Sequence, residues 1–160
     1  MNVDITSLKL NHEDYIEVNE EVIVSSDILK NTDIIELKDT YAKGNIYPYG
    51  ENDYELNFVI EGKMVLPCSI TLKPVEHKFS TEFSGIYTEM MMEIENFSKK
   101  IENSLDIFPI IWENILMEIP IKVTCPEATN LKLSGDGWKL VTEESVGETN
   151  SAFDKLKDLL

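Results

Sequence analysis

An α+β fold follows from three features of the chain. Residues 54–60, YELNFVI, place Tyr54, Leu56, Phe58 and Ile60 on one face and Glu55 and Asn57 on the other, the period of a half-buried strand. Residues 104–125, SLDIFPIIWENILMEIPIKVTC, space Leu105, Phe108, Ile111, Trp112, Ile115 and Ile119 at three or four and then switch to alternation across Pro120. Turn formers at residues 48–53 and at Gly62 and Gly85 separate the apolar runs between them. Together they predict a curved, mostly antiparallel sheet of about six strands, barrel-like in one form, packed by one main helix. The core domain is expected over residues 1–125, with an extended C-terminal arm over 126–160.

Residues 2–10 alternate weakly and suit either a short edge strand or a first helical turn. Residues 15–25, with the β-branched run Val22-Ile23-Val24, predict a strand, and Ser25-Ser26-Asp27 offers a cap for a short helix from Ile28. A strand over residues 34–49 ends in the turn at 48–53 and pairs with residues 54–60. Gly62-Lys63 is expected as a tight connection or bulge, residues 64–72 as a strand that Pro67 confines to an edge or breaks, and residues 75–84 as a further strand. Residues 86–101 fit two drawings: Met90, Met91, Ile94, Phe97 and Ile101 make a helical stripe, but a loop into a strand near residues 97–101 would give the sheet a further partner and is the drawing adopted.

Ser104 or Asp106 can cap the main helix over residues 106–118, and Pro109 is tolerated in its first turn because the missing N–H would be unpaired there anyway. Ile121, Val123 and Cys125 then alternate with Lys122 and Thr124 as a strand. The arm contains Gly135-Asp136-Gly137, a turn without the lysine and helix of a phosphate loop, followed by a possible strand over residues 138–141. It closes on SAFDKLKDLL, where Phe153, Leu156, Leu159 and Leu160 have helical spacing.

Charge narrows the function. Thirty acidic side chains stand against fourteen lysines in 160 residues, for a formal charge of −16, and the chain has no arginine. Phosphate backbones are neutralised by clustered lysine and arginine, so a broad nucleic-acid interface is not expected, although Lys99-Lys100 could touch RNA. An acidic surface suits a basic protein partner, or serves solubility alone. Two cysteines far apart, no long apolar run and acids near the N-terminus predict a cytoplasmic protein without signal peptide or membrane anchor.

No residue invites a catalytic, cofactor or metal role. Cys68 and Cys125 lack the close pairing of thiolate metal sites and are expected in the core. His12 and His77 are isolated, and acid pairs such as Glu20-Glu21 and Glu143-Glu144 are expected by chance in so acidic a chain. Candidate partner contacts are Glu113 and Glu118, which flank the stripe of the main helix, and Trp138, an aromatic on a polar stretch. Phe153, Leu156, Leu159 and Leu160 complete the set, either as a stripe for a partner's groove or as cover for the chain's own sheet edge.

The order of GKMVLPCSITLKPV, DIFPIIWENILMEIPIKV, GDGWKLVTEE and NSAFDKLKDLL resembles the YceD family in its YlbN-like form, most clearly from Gly62 onward. The resemblance implies a non-enzymatic factor in ribosome biogenesis that supports accumulation of large-subunit ribosomal RNA. The partner it implies is a basic ribosomal protein or an assembly factor; direct rRNA binding or RNA processing is the alternative. Cys68 stands where the family has the first cysteine of a CxRC motif, while Ile70 and Thr71 replace its arginine and second cysteine. Asn150, Ser151, Ala152 and Phe153 stand where a closing Asp-Pro-Arg-Leu is common.

Overall fold

The computed structural model describes residues 1–50, 53–94, 103–128, 134–135 and 138–139. The chain divides into two units, Met1–Val123 and Thr124–Leu160. In the first, the elements run β1 (Asn2–Asp4), α1 (Thr6–Lys9), β2 (Ile16–Glu21), α2 (Ser26–Leu29), β3 (Glu36–Tyr49), β4 (Asp53–Pro67), β5 (Pro74–Ile86), α3 (Tyr87–Glu93), β6 (Ser104–Asp106) and α4 (Phe108–Met117). In the second, β7 (Ser134–Gly135) pairs antiparallel with β8 (Trp138–Lys139).

Strands β2, β3, β4 and β5 form one antiparallel sheet in that order, and β1 pairs separately with β6. The expected α+β, mostly antiparallel architecture is present. The barrel is not: β2 and β5 are opposite edges of an open sheet, and no strand joins them among the described residues. Strands β3, β4 and β5 hold 14, 15 and 13 residues, enough to reach about 45 Å at about 3.3 Å per residue.

Alternation decides which face carries the core. Ala42, Ile46, Tyr54, Leu56, Phe58, Ile60 and Phe79 are buried on one face, while Lys43, Glu55, Glu61, Lys78 and Glu82 belong to the other. Gly44 lies opposite Phe58, whose ring stacks on Phe83 at 5.5 Å, and a Cβ at Gly44 would come within 2.6 Å of the Phe58 ring. The inner face is closed by α3, which packs on β4, β5 and α4, and by α4, which packs on β5.

Helix α4 differs in start and phase from the sequence expectation. It spans Phe108–Met117 and buries Ile110, Ile111, Asn114 and Ile115, with Ile107 at its N-cap also buried. Phe108 and Trp112 are only half-buried and stack on each other at 6.4 Å, and Leu105 belongs to β6. The cause is β6: pairing of Val3 with Leu105 holds residues 104–106 extended, and the Asp106 carboxylate then accepts the Phe108 N–H at 3.2 Å. Asp106 thus takes up a first-turn donor, whereas Ser104 is held in the strand. Asn114 satisfies its buried amide by donating to the Ile110 carbonyl at 2.9 Å.

Four further expectations are narrowed or corrected. Of the two readings of Gly62-Lys63 the connection fails, because β4 runs through it without interruption, whereas a bulge is present opposite it, where the β3–β4 register shifts between Lys38 and Tyr41. Of the two readings of Pro67 the break holds and the edge does not: Pro67 ends the central strand β4, opposite Pro74. Residues 87–93 form α3 rather than a loop, burying Tyr87 and Met91, while the strand expected near residues 97–101 lies outside the described residues. Residues 121–123 form no strand, for Ile121 is fully exposed and the backbone of Val123 bonds to Ser69 rather than to a strand, while its side chain packs on the core. The ambiguous N-terminus contains both elements, β1 followed by α1.

Candidate partner-binding surfaces

Acidic side chains gather on one edge of the sheet. Between Lys9 and Lys30 the chain has no basic side chain except His12, and besides Asp27, which pairs with Lys30, its acids Glu13, Asp14, Glu17, Glu20 and Glu21 are all exposed. Strand β2 carries three of them at the sheet edge, where its pairing with β3 sets Glu17 opposite Asn45, Glu20 opposite Ala42 and Glu21 opposite Tyr41. None of the five takes part in an ion pair among the described residues. An edge strand also presents a row of backbone groups that another extended segment can pair with.

Lysines gather toward the other side of the sheet. Pairing sets Lys38 opposite Lys63 and Lys63 opposite Lys78, a row across β3, β4 and β5 on the outer face. Two of the three are neutralised locally, Lys38 by Glu76 at 2.9 Å and Lys63 by Asp39 at 2.7 Å. The Lys63 ammonium holds the Asp39 carboxyl below the usual range, and that of Lys38 does the same for Glu76. The same contacts push both ammonium groups above their ordinary values. Next to this row lies a shallow depression of about 300 Å³ lined by Tyr41, Lys43, Lys63, Lys78 and Ser80 together with Asp39 and Glu61.

A second depression, about 180 Å³, lies between the β4–β5 connection and the segment after α4. Leu66, Pro67, Cys68 and Leu72 line one side, Ile119, Pro120, Ile121 and Val123 the other, with Asp33 at the rim. Two backbone-directed contacts close it: Ser69 N–H donates to the Val123 carbonyl at 2.8 Å, and Val123 N–H donates to Ser69 Oγ at 3.2 Å. Cys68 is fully buried, and its sulfur accepts the Thr71 N–H at 3.5 Å, so positions 68 and 71 share one turn. Among the described residues no group of three or more His, Cys, Asp or Glu converges as a metal site.

The residues singled out from sequence are not brought together. Glu113 is exposed on α4, and Glu118 is half-buried at its C-cap, where the partial negative charge of the helix end opposes a carboxylate. Trp138 stands on β8, opposite Gly135 in the second unit. Phe153, Leu156, Leu159 and Leu160 lie outside the described residues. The acidic edge was missed because Glu20-Glu21 was read as a chance pair. Its signal is the lysine-free interval, in which five acids fall within nine residues of one another.

A sequence profile of the family described as "Large ribosomal RNA subunit accumulation protein YceD" matches residues 56–160, well over half of the chain. The chain belongs to the YceD family. The match begins within β4 and includes β5, α3, the β6–α4 block and the β7–β8 hairpin. Among YceD relatives, the "Uncharacterized protein YlbN" of Bacillus subtilis (strain 168) is 29% identical over 132 residues, covering 78% of this chain and 76% of its own length. No solved structure matches. The acidic edge on β2 lies outside the profile match, in the part of the fold that precedes it. No helix among the described residues is long and apolar enough to cross a membrane.

Proposed function

We propose that this protein supports accumulation of large-subunit ribosomal RNA in the cytoplasm without catalysing a reaction, by holding a basic ribosomal protein or another assembly factor. Its family, described by that accumulation role, supports the first half of the reading. The observation that carries the second half is the edge of β2, where Glu13, Asp14, Glu17, Glu20 and Glu21 are exposed and unpaired by any described lysine. Ribosomal proteins carry lysine- and arginine-rich surfaces and tails, because they must lie against RNA phosphates. Off the ribosome such a surface needs a counter-charge, and an acidic edge strand supplies both carboxylates and a free ladder of backbone groups.

The arm over residues 126–160 gives the same partner a second hold, with Trp138, Phe153, Leu156, Leu159 and Leu160 as its apolar contacts and Glu113 and Glu118 as further charges. Affinity purification of the tagged protein, followed by crosslinking and mass spectrometry, tests the reading. Crosslinks from a ribosomal protein or assembly factor to residues 13–21 are expected. Recovery of abundant metabolic enzymes alone would count against it.

The lysine row favours a second reading, direct contact with ribosomal RNA through Lys38, Lys63 and Lys78. Local carboxylates already neutralise two of these lysines, which leaves little charge to release counterions. Titration with large-subunit rRNA fragments at low and moderate salt separates the two. Tight, strongly salt-dependent binding supports direct contact, and its absence supports the protein partner.

A further inference from the structure

Strand β5 has β4 along one side and no strand along the other among the described residues. Its thirteen residues stay in continuous register with β4 from Pro67 opposite Pro74 to Glu55 opposite Ile86, without a bulge. Long, regular edges are the kind that proteins either blunt or use. The only proline is the first residue, and the outward side chains Glu76, Lys78, Ser80, Glu82 and Ser84 are all exposed. Glu76 is bound to Lys38. Lys78 and Glu82 have no ion pair among the described residues, and Lys78 faces the like charge of Lys63 across the β4–β5 ladder.

We propose that β5 pairs antiparallel with β5 of a second copy of this chain, about a two-fold axis at Ser80. This register sets Pro74 opposite Ile86, so the whole strand is used, and sets Lys78 of each copy opposite Glu82 of the other. Symmetry makes that ion pair twice. On the inner face Phe79 meets Thr81 and His77 meets Phe83, so apolar and half-buried positions stay on the side of the helices. Neighbouring registers are poorer. An axis at Phe79 sets Lys78 against Ser80 and Glu76 against Glu82, and an axis at Thr81 sets Lys78 against Ser84.

The other edge is less suited. Self-pairing of β2 about Asn19 would lay Glu17 of each copy against Glu21 of the other, like charges directly opposed, and an axis at Val18 makes no ion pair. The β5 pairing instead makes one eight-stranded sheet with an acidic β2 at each end. At about 4.8 Å per strand, these ends lie about 34 Å apart, several times the screening length of about 8 Å at physiological ionic strength. The strong net charge therefore does not oppose the association where the copies meet.

Light scattering on the full chain at physiological ionic strength tests the pairing. The expected mass is twice the 18.3 kDa of one chain. Lys78→Glu and Glu82→Lys each place like charges across the axis and are expected to lower the mass to that of one chain. The double variant, and an equimolar mixture of the two single variants, are expected to restore it. Ser80→Cys should give a crosslinked dimer under mild oxidation, whereas Val59→Cys, exposed on the central strand, should not. A wild-type protein of single mass, or a dimer indifferent to these charge changes and uncrosslinked through position 80, would overturn the proposal.

Discussion

Gly62 lies directly beneath Thr40. A Cβ at Gly62 would collide with the Thr40 hydroxyl and come within 2.8 Å of its Cβ and 2.9 Å of its Cα. Thr40 is itself buried and held in place, donating its hydroxyl to the Lys38 carbonyl at 3.1 Å, at the point where the β3–β4 register shifts between Lys38 and Tyr41. The glycine is needed for this close approach of two strands rather than for a turn.

Gly62→Ala is therefore expected to destabilise the protein by about 1–3 kcal/mol, as overpacking in a close contact does. Urea unfolding followed by circular dichroism reads it as a lower midpoint. Gly50, which has nothing within 4 Å of an added Cβ but a φ of 61°, should respond more weakly and through backbone strain alone.

Ile111 and Ile115 are fully buried on α4, between the sheet and the rest of the helical layer. Ile111→Ala is expected to cost about 2–5 kcal/mol, the lost transfer of its side chain plus the cavity left behind. Glu113→Lys, two residues further along and exposed, should change stability by no more than about 0.5 kcal/mol. Thermal unfolding of the two variants side by side checks the contrast.

Asp39 and Glu76 have carboxyl groups held below the usual range by Lys63 and Lys38. A depressed carboxylate contributes stability that is present above its unfolded-state value and is lost as pH falls through the folded one. Stability should therefore decline as the solution is acidified below the ordinary carboxylate range. The decline should be shallower in Asp39→Asn and Glu76→Gln, and added salt should reduce the difference because both pairs face solvent. Denaturant midpoints measured across acidic pH values show the slope.

Much of the sheet was legible in residues 54–60 because their alternation is long and sharp. The burial of Tyr54, Leu56, Phe58 and Ile60 follows it residue for residue. What misled was local chemistry whose meaning depends on distant residues. Gly62 read as a connection or a bulge with no way to choose between them, because Thr40, which requires the glycine and sits in the bulge on β3, is twenty-two positions away in sequence. Ile121 to Val123 alternated like a strand, yet among the described residues no strand pairs with it and its backbone bonds to Ser69. Met90 and Met91 of the helical stripe do lie in α3, which ends before Ile94, but a preference for one more strand outweighed them. The acidic edge was hidden by abundance, since no acid stands out among thirty until β2 carries three of them along a sheet edge, just after Glu13 and Asp14.

The central claim is that the β2 edge receives a basic partner. Glu17→Lys, Glu20→Lys and Glu21→Lys combined reverse that edge while leaving the buried Val18 in place, and Glu89→Lys, at an exposed position on α3, serves as a charge control away from it. The most direct measurement is a quantitative pull-down of the three proteins from cells, comparing recovery of ribosomal proteins and assembly factors. Loss of a basic partner from the edge variant, with recovery by wild type and Glu89→Lys, is the predicted result. Equal recovery of the same partners by all three proteins would contradict it.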